Sequence, residues 1–259
     1  MEKTASTDTG ELALIFSNFL LQTQGVIGFR GDVLFLIENG KQQLISRANE
    51  QFRLLKKTTD AGKLPDNLEK TLGEAFNATV LMKSPDAVIG QSKCRIDAAS
   101  MVFVHSLLDA TIYSLCCVSY DSNPNDWLGF IKDRQLKIED VLAKGQDAAT
   151  KTISRNYIAS LERESMLKKS DKLHAVCKPP SNVNYAYNYT FSRETLEKFD
   201  NLRNAIVHKL QFGAGIPDVE QMLDFGIKTG VYLSRMISEK YGLSLKITKE
   251  QYKQIFPAG

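Results

Sequence analysis

The segment 92–120 constrains the fold more than any other part of the chain, because it is apolar on most sides. A helix that is apolar all round must be covered by other elements. Its most apolar part, 98–118, approaches the length of a membrane span but carries His105, Asp109 and several serines. Such groups are costly within a bilayer. We therefore interpret this segment as the buried central helix of a bundle.

Elsewhere, apolar side chains recur at the three- and four-residue spacing that is typical of amphipathic helices. The further predicted helices cover 9–24, 32–57, 66–83, 127–144, 147–169, 192–212 and 218–240. Only the tail, at 243–247, has a pattern that suggests a short strand. Since no repeat or low-complexity linker divides the chain, we predict an all-α fold. It is a single helical domain over 1–259, with an N-terminal helical hairpin over 1–65 packed on the rest.

Composition limits the class of protein but does not select a function. A hydrophobic content of 43% and a charged content of 24% are those of an ordinary soluble globular protein. The net charge of +3 is too small to predict nucleic-acid binding. It is unevenly spread, however, because 132–178 holds eleven Lys and Arg against seven Asp and Glu. A mildly basic face of this kind attracts a phosphate backbone, but it is equally common on proteins that never meet one.

The beginning of the chain and its cysteines bear on location and on cofactors. The first ten residues are polar and lack a secretory signal, so we expect a cytoplasmic protein without a membrane anchor. The four cysteines show no Cys-x-x-Cys spacing and no nearby histidine pair. We expect reduced thiols and no zinc site. No other cluster has metal-ligand spacing, and we predict neither metal nor cofactor.

The run 201–210 reads Asn-Leu-Arg-Asn-Ala-Ile-Val-His-Lys-Leu and lies in the predicted helix 192–212. The apolar stripe of that helix consists of Leu196, Phe199, Leu202, Ile206 and Leu210. At 100° per residue, Asn204 and His208 lie about 160° and 200° from Ile206. Both point away from the core and stack as an i, i+4 pair. Arg203 lies nearer the edge of the stripe. The choice is between a functional site and an ordinary exposed histidine.

Arg203, Asn204 and His208 form the string Arg-Asn-x-x-x-His, which resembles the signature of the HEPN family. That signature is Arg-x(4–6)-His, often with a polar residue second. HEPN domains are four- or five-helix bundles, and many members cut RNA without a metal. The resemblance implies a HEPN-like core over about 66–240, with the first helices as an N-terminal addition.

The resemblance also implies roles for the motif residues. His208 would transfer a proton near neutral pH, and Arg203 would clamp the phosphate. Asn204 would hold the imidazole or bind phosphate, and Lys209 is a weaker candidate for a phosphate contact. One histidine leaves an acid–base pair incomplete, and HEPN ribonucleases complete it by dimerising. We therefore expect a homodimer that acts on RNA.

Other residues are supporting candidates. The family often adds an acidic residue from an earlier helix, and Asp109 fits, paired with Arg203 or with another buried group. Tyr185, Tyr187 and Tyr189 alternate before the motif helix, as in a stacking platform for bases or a loop packed on its own domain. The chain has two further histidines. His105 is expected in the core, and His174 on a solvated face without an identified partner.

Leu210 stands where HEPN toxins controlled by a nucleotidyltransferase commonly carry a tyrosine, so control by that route is not expected. The leading hypothesis is a metal-independent endoribonuclease working as a homodimer, in a defence or stress response. The first alternative is a HEPN module that binds RNA or a nucleotide without cutting. The second is a helical protein-interaction scaffold in which the motif is accidental.

Overall fold

The structure is a computed structural model that describes residues 10–43, 45, 46, 50, 53, 85–131, 145–179, 189–209 and 219–248. Its elements are α1 (Glu11–Asn39), α2 (Pro85–Ser122), a 3-10 helix (Pro124–Phe130), α3 (Gln146–Ser160), a second 3-10 helix (Leu161–Arg163), α4 (Met166–Cys177), α5 (Arg193–Lys209) and α6 (Val219–Tyr241). Within these ranges the protein is an all-helical bundle, which confirms the predicted fold class. Residues 243–248 form no strand, so the predicted strand is wrong.

The long helix α2 is the centre of the bundle, as its sequence predicted. It packs against α1, α4, α5 and α6. A row of its fully buried side chains follows three- and four-residue spacing and consists of Ala98, Met101, Val104, Leu108, Ile112 and Leu115. This row forms one continuous apolar face of the helix. The other elements lie around α2, so residues far apart in the chain meet along its length.

The prediction of two separate helices at 9–24 and 32–57 is wrong, because α1 runs unbroken from Glu11 to Asn39. Its interior glycines cost helix stability, but packing along α2 outweighs that local preference. The predicted helix at 66–83 lies outside the described residues, as do the later parts of those at 32–57 and 127–144. Of the helix predicted at 127–144, the structure describes only the beginning, which belongs to the 3-10 helix. The N-cap residue of that helix, Asn123, accepts a hydrogen bond from the Asn125 amide.

The single helix predicted at 147–169 is divided in the structure. After α3 the chain makes the short 3-10 helix, and Glu164 is extended, with φ −81° and ψ 157°. Ser165 then caps α4 by accepting a hydrogen bond from the Lys168 amide at 3.4 Å. A serine before a new helix is a start signal that the apolar periodicity alone did not reveal. The break redirects α4 so that Lys169 points into the bundle, where it is 1% exposed.

In the described part of the chain, two helices are long and apolar enough to cross a membrane by length and composition, α1 and the part of α2 from Ile89 to Ser122. Half of the apolar stretch of α2 is buried inside the bundle, and core helices of soluble proteins have the same property. The apolar stretch of α1 is less covered by the described residues, since Phe29, Phe35 and Leu36 are each 65% exposed. Length and composition therefore do not locate the protein.

Candidate functional site

The motif helix α5 packs as its periodicity predicted. Leu196, Phe199 and Ile206 are buried, and Leu202 is half-buried against the core. Ser192 caps the helix by accepting a hydrogen bond from the Thr195 amide at 3.1 Å. The last member of the predicted stripe, at position 210, lies outside the described residues. The apolar side of α5 thus holds the helix in the bundle and leaves its other side to the motif.

The motif residues on α5 differ in exposure. His208 is exposed, while Arg203 and Asn204 are half-buried. Arg203 Nη1 donates a hydrogen bond to Asn204 Oδ1 at 3.0 Å, and the buried Nε has no partner among the described residues. Asn204 therefore orients the guanidinium rather than the imidazole of its own chain. Lys209 ends the helix, and its side chain is not among those described.

Arg203 lines an open cleft of about 430 Å³ between α2, α4 and α5. Charged groups from three parts of the chain meet there, among them His105, Asp109, Glu162, Lys169, Asp200 and Arg203. His208 is not part of the lining. Sites for small molecules and substrates are commonly concave regions of this size with a few converging polar groups. The cleft is therefore a candidate site that includes the arginine of the motif but not its histidine.

Asp109 lies in the cleft with Arg203 but is paired with another group. Its Oδ1 is 2.6 Å from Nζ of Lys169, whose side chain is 1% exposed. The sequence suggested either Arg203 or another buried group as the partner of this carboxylate, and the structure shows the buried group, Lys169. Among the described residues Arg203 forms no ion pair with a carboxylate. The pairing satisfies a lysine that would otherwise be a buried, uncompensated charge.

His105 belongs to both the core and the cleft, and its link to Asp200 was missed from the sequence. Its Nε2 lies 2.9 Å from Asp200 Oδ1, and its ring packs at a tilt against Phe199, with centroids 5.4 Å apart. Burial lowers the pKa of His105, while the hydrogen bond to Asp200 and its negative charge partly oppose that effect. The sequence signal that could have suggested this cluster is helical spacing. His105 and Asp109 are i, i+4 on α2, and Asp200 and Arg203 are i, i+3 on α5, so each pair shares one helix side.

The proposed stacking platform is not supported at Tyr189, because this ring is buried, with 8% exposure. Its hydroxyl lies 2.7 Å from Thr229 Oγ1, and burial raises the pKa of Tyr189. A ring packed into the core cannot stack on a base, so the alternative of a loop packed on its own domain holds here. Tyr185 and Tyr187 lie outside the described residues.

The solvated setting expected for His174 is wrong. Its ring centroid lies 4.1 Å from that of Phe191 and 5.6 Å from that of Tyr232. Nδ1 lies 2.9 Å from the carbonyl oxygen of Ser170, and Nε2 is buried without a partner among the described residues. Burial lowers the pKa of His174. The basic residues that precede it in the chain misled the prediction, because α4 turns this histidine toward an aromatic cluster.

The lining of the cleft holds four carboxylates, those of Asp109, Glu162, Glu164 and Asp200, and two basic side chains besides His105, those of Lys169 and Arg203. Glu162 forms no ion pair among the described residues. Asp109 pairs with Lys169, Asp200 with His105, and Glu164 with Lys172, whose Nζ is 2.5 Å from its Oε2. Arg203 is the cation of the lining that faces this space without a carboxylate of its own. In the part of the chain that the structure describes, no three His, Cys, Asp or Glu residues are placed to hold a metal ion.

The chain matches no known family model, and neither curated proteins nor solved structures yield a match.

Proposed function

We propose that the chain is a metal-independent endoribonuclease that works as a homodimer, with composite active sites built from Arg203, Asn204 and His208 of the two copies. The arrangement of α5 carries the proposal. This helix presents an imidazole to solvent and, on another side, a guanidinium that has no carboxylate partner among the described residues. Those are the two groups that RNA cleavage requires, a proton-transfer group and a fixed positive charge.

Each motif residue has a task in this reaction. The 2′-hydroxyl loses a proton and attacks the phosphorus, and the 5′-oxygen gains a proton as its bond to phosphorus breaks. His208 supplies one proton transfer, since an imidazole can act in either direction near neutral pH. Arg203 neutralises the charge that develops on the phosphate oxygens, and Asn204 holds the guanidinium in place. The products are a 2′,3′-cyclic phosphate and a 5′-hydroxyl.

A second copy is needed because the two motif groups diverge within one chain. Arg203 and His208 are five positions apart, which corresponds to about 140° around the helix and about 7.5 Å along it. A second α5 packed against the first brings the His208 of one copy toward the Arg203 of the other. Val207, 39% exposed beside His208, offers an apolar contact for that packing. A two-fold arrangement of this kind uses the same surface on both copies.

The test compares cleavage of one labelled RNA in the presence of EDTA. We expect His208→Ala to lower the cleavage rate by roughly 10²–10⁴-fold with little change in RNA affinity, because it removes a proton-transfer group. Arg203→Ala should lower cleavage and, more modestly, binding. Lys198→Ala is the control, since it removes an exposed cation from the same helix, paired with Glu194 at 2.7 Å. Cleavage by His208→Ala at the wild-type rate, or full dependence on added metal, would overturn the enzyme proposal.

A second candidate is a binding module that holds RNA or a nucleotide without cutting it. Its support is the same guanidinium, because a phosphate can bind Arg203 without any proton transfer. The cleavage test separates the two functions. A wild-type protein and a His208→Ala variant that bind the RNA equally, with neither cutting it, favour the module.

A further inference from the structure

We propose that His105, held by Asp200, is the second proton-transfer group of this ribonuclease, acting inside the cleft that Arg203 lines. The inference rests on the proposed function, because it assigns a residue to the same reaction. It goes beyond the motif, since His105 lies on α2 and Asp200 lies outside the Arg-x(4–6)-His string. It answers the need for two proton transfers when the motif contains one histidine.

The geometry brings an oriented imidazole and a guanidinium to one space. His105 Nε2 is 2.9 Å from Asp200 Oδ1. A carboxylate can only accept, so Nε2 carries the proton in this pair and Nδ1 is the basic nitrogen. Asp200 and Arg203 are three positions apart on α5, on adjacent parts of one side. All three side chains line the cleft of about 430 Å³, which has the size of a ligand site.

The motif histidine of the same chain, His208, is too far away to share a phosphate with His105. Asp200, which holds His105, and His208 are eight positions apart on α5, or about 12 Å along the helix axis. An acid and a base that act on one phosphate must each come within hydrogen-bond reach of it. The complete site therefore combines His105 and Arg203 of one copy with His208 of a second copy.

Two proton transfers accompany the cleavage of the RNA chain. Neutral His105 takes the proton of the 2′-hydroxyl on Nδ1, and the 2′-oxygen forms a bond to phosphorus while the bond from phosphorus to the 5′-oxygen breaks. A protonated His208 of the second copy gives its proton to the 5′-oxygen. The carboxylate of Asp200 stabilises the imidazolium that forms on His105. Burial lowers the pKa of His105, which keeps it neutral and able to act as a base near pH 7.

Single variants test whether His105 is needed. Glutamine at position 105 keeps an amide that can hydrogen-bond Asp200, but it cannot transfer a proton. We expect His105→Gln and His208→Gln each to lower cleavage of the labelled RNA by roughly 10²–10⁴-fold. Thermal melting of each variant checks that the fold survives. If His105→Gln melts early, Asp200→Asn takes its place, because it removes the charge that holds the imidazole.

A defined heterodimer tests where the two histidines come from. The two inactive variants are co-expressed with different affinity tags, and the mixed dimer is isolated by successive purification on both tags. One of its two sites then has both histidines intact, so we expect about half of the wild-type activity to return. This recovery would place the His105 and the His208 of one site in different copies, while the melting curves test whether His105 is needed only for the fold.

Each result supports or overturns the assigned role of His105. Recovery in the mixed dimer supports the inference. Wild-type activity of the position-105 variant, no recovery in the mixed dimer, or the absence of any mixed dimer overturns the role of His105 as assigned. Cleavage by the wild type that is lost in His208→Gln but kept in His105→Gln leaves the proposed ribonuclease standing. A wild-type protein that cuts no RNA ends the proposed function and this inference together.

Discussion

At the scale of single residues, the buried His105 and the half-buried His174 link the stability of the fold to pH. Burial lowers the pKa of both His105 and His174 below the value of 6.5 that an unfolded histidine has. Below pH 6.5 the unfolded chain therefore takes up protons before the folded one, so stability falls as the pH drops toward the folded pKa values. Above 6.5 both states are neutral at these positions, and that stability is fully present. We expect a lower urea midpoint at pH 5.5 than at pH 7.5.

His174→Phe isolates one of these two contributions. Phenylalanine keeps an aromatic ring beside Phe191 and Tyr232 and removes the titrating group. The difference between the urea midpoints at pH 7.5 and pH 5.5 should become smaller than in the wild type. An unchanged difference would mean that this imidazole does not contribute to the pH dependence.

The pair of Asp109 and Lys169 gives a second prediction at this scale. Asp109→Ala leaves the Lys169 ammonium, 1% exposed, without its ion-pair partner. Loss of one member of a buried pair costs about 3–5 kcal/mol, and the partial exposure of Asp109 places the expected loss at the lower end or below it. The double variant Asp109→Ala, Lys169→Met should recover part of the free energy of unfolding, because no buried charge remains. Chemical denaturation of the single and double variants measures both effects, and a double variant less stable than Asp109→Ala contradicts them.

At the scale of the elements, two glycines in helices should respond to alanine in opposite directions. In α6, a Cβ at Gly230 would lie 2.2 Å from a ring carbon of Phe19, which is itself buried. The helices α1 and α6 must then separate, so we expect Gly230→Ala to destabilise by about 1–3 kcal/mol. In α1, a Cβ at Gly28 meets nothing within 4 Å. Gly28→Ala should instead stabilise the helix by up to about 1 kcal/mol. Thermal melting of both variants measures these effects, and equal changes in Tm would contradict the packing of α6 on α1.

At the scale of the whole molecule, the prediction concerns assembly of two copies through α5. Val207→Cys places a thiol on the exposed side of the helix, beside His208. If the two motif helices meet across a two-fold axis, mild oxidation should link this variant into a covalent dimer. Glu197→Cys, exposed near the other end of α5, is the matched control and should not cross-link. A protein that stays monomeric in sedimentation at micromolar concentration would contradict the composite site.

Local sequence patterns predicted burial correctly where the periodicity of a single helix determines which of its sides is apolar. The spacing of apolar residues predicted the central position of α2 and the buried side of α5, because a helix repeats every 3.6 residues whatever packs against it. The same geometry predicted that His208 points outward. It could not predict the unbroken α1, since packing against α2 outweighs the local preference of glycine. It also missed the break before Ser165, because the signal there is a helix cap and not a change in apolar spacing.

The cleft was decided by tertiary structure alone. His105 and Asp200 are separated by 95 positions, and they meet only because α2 and α5 pack against each other. The partner of Asp109 depends likewise on the direction of α4, which turns Lys169 inward. By itself the sequence determined the all-helical class, the central segment and the outward side of the motif. Which charged groups share a cavity was settled by the docking of helices, because contacts between distant residues depend on packing angles that no local spacing encodes.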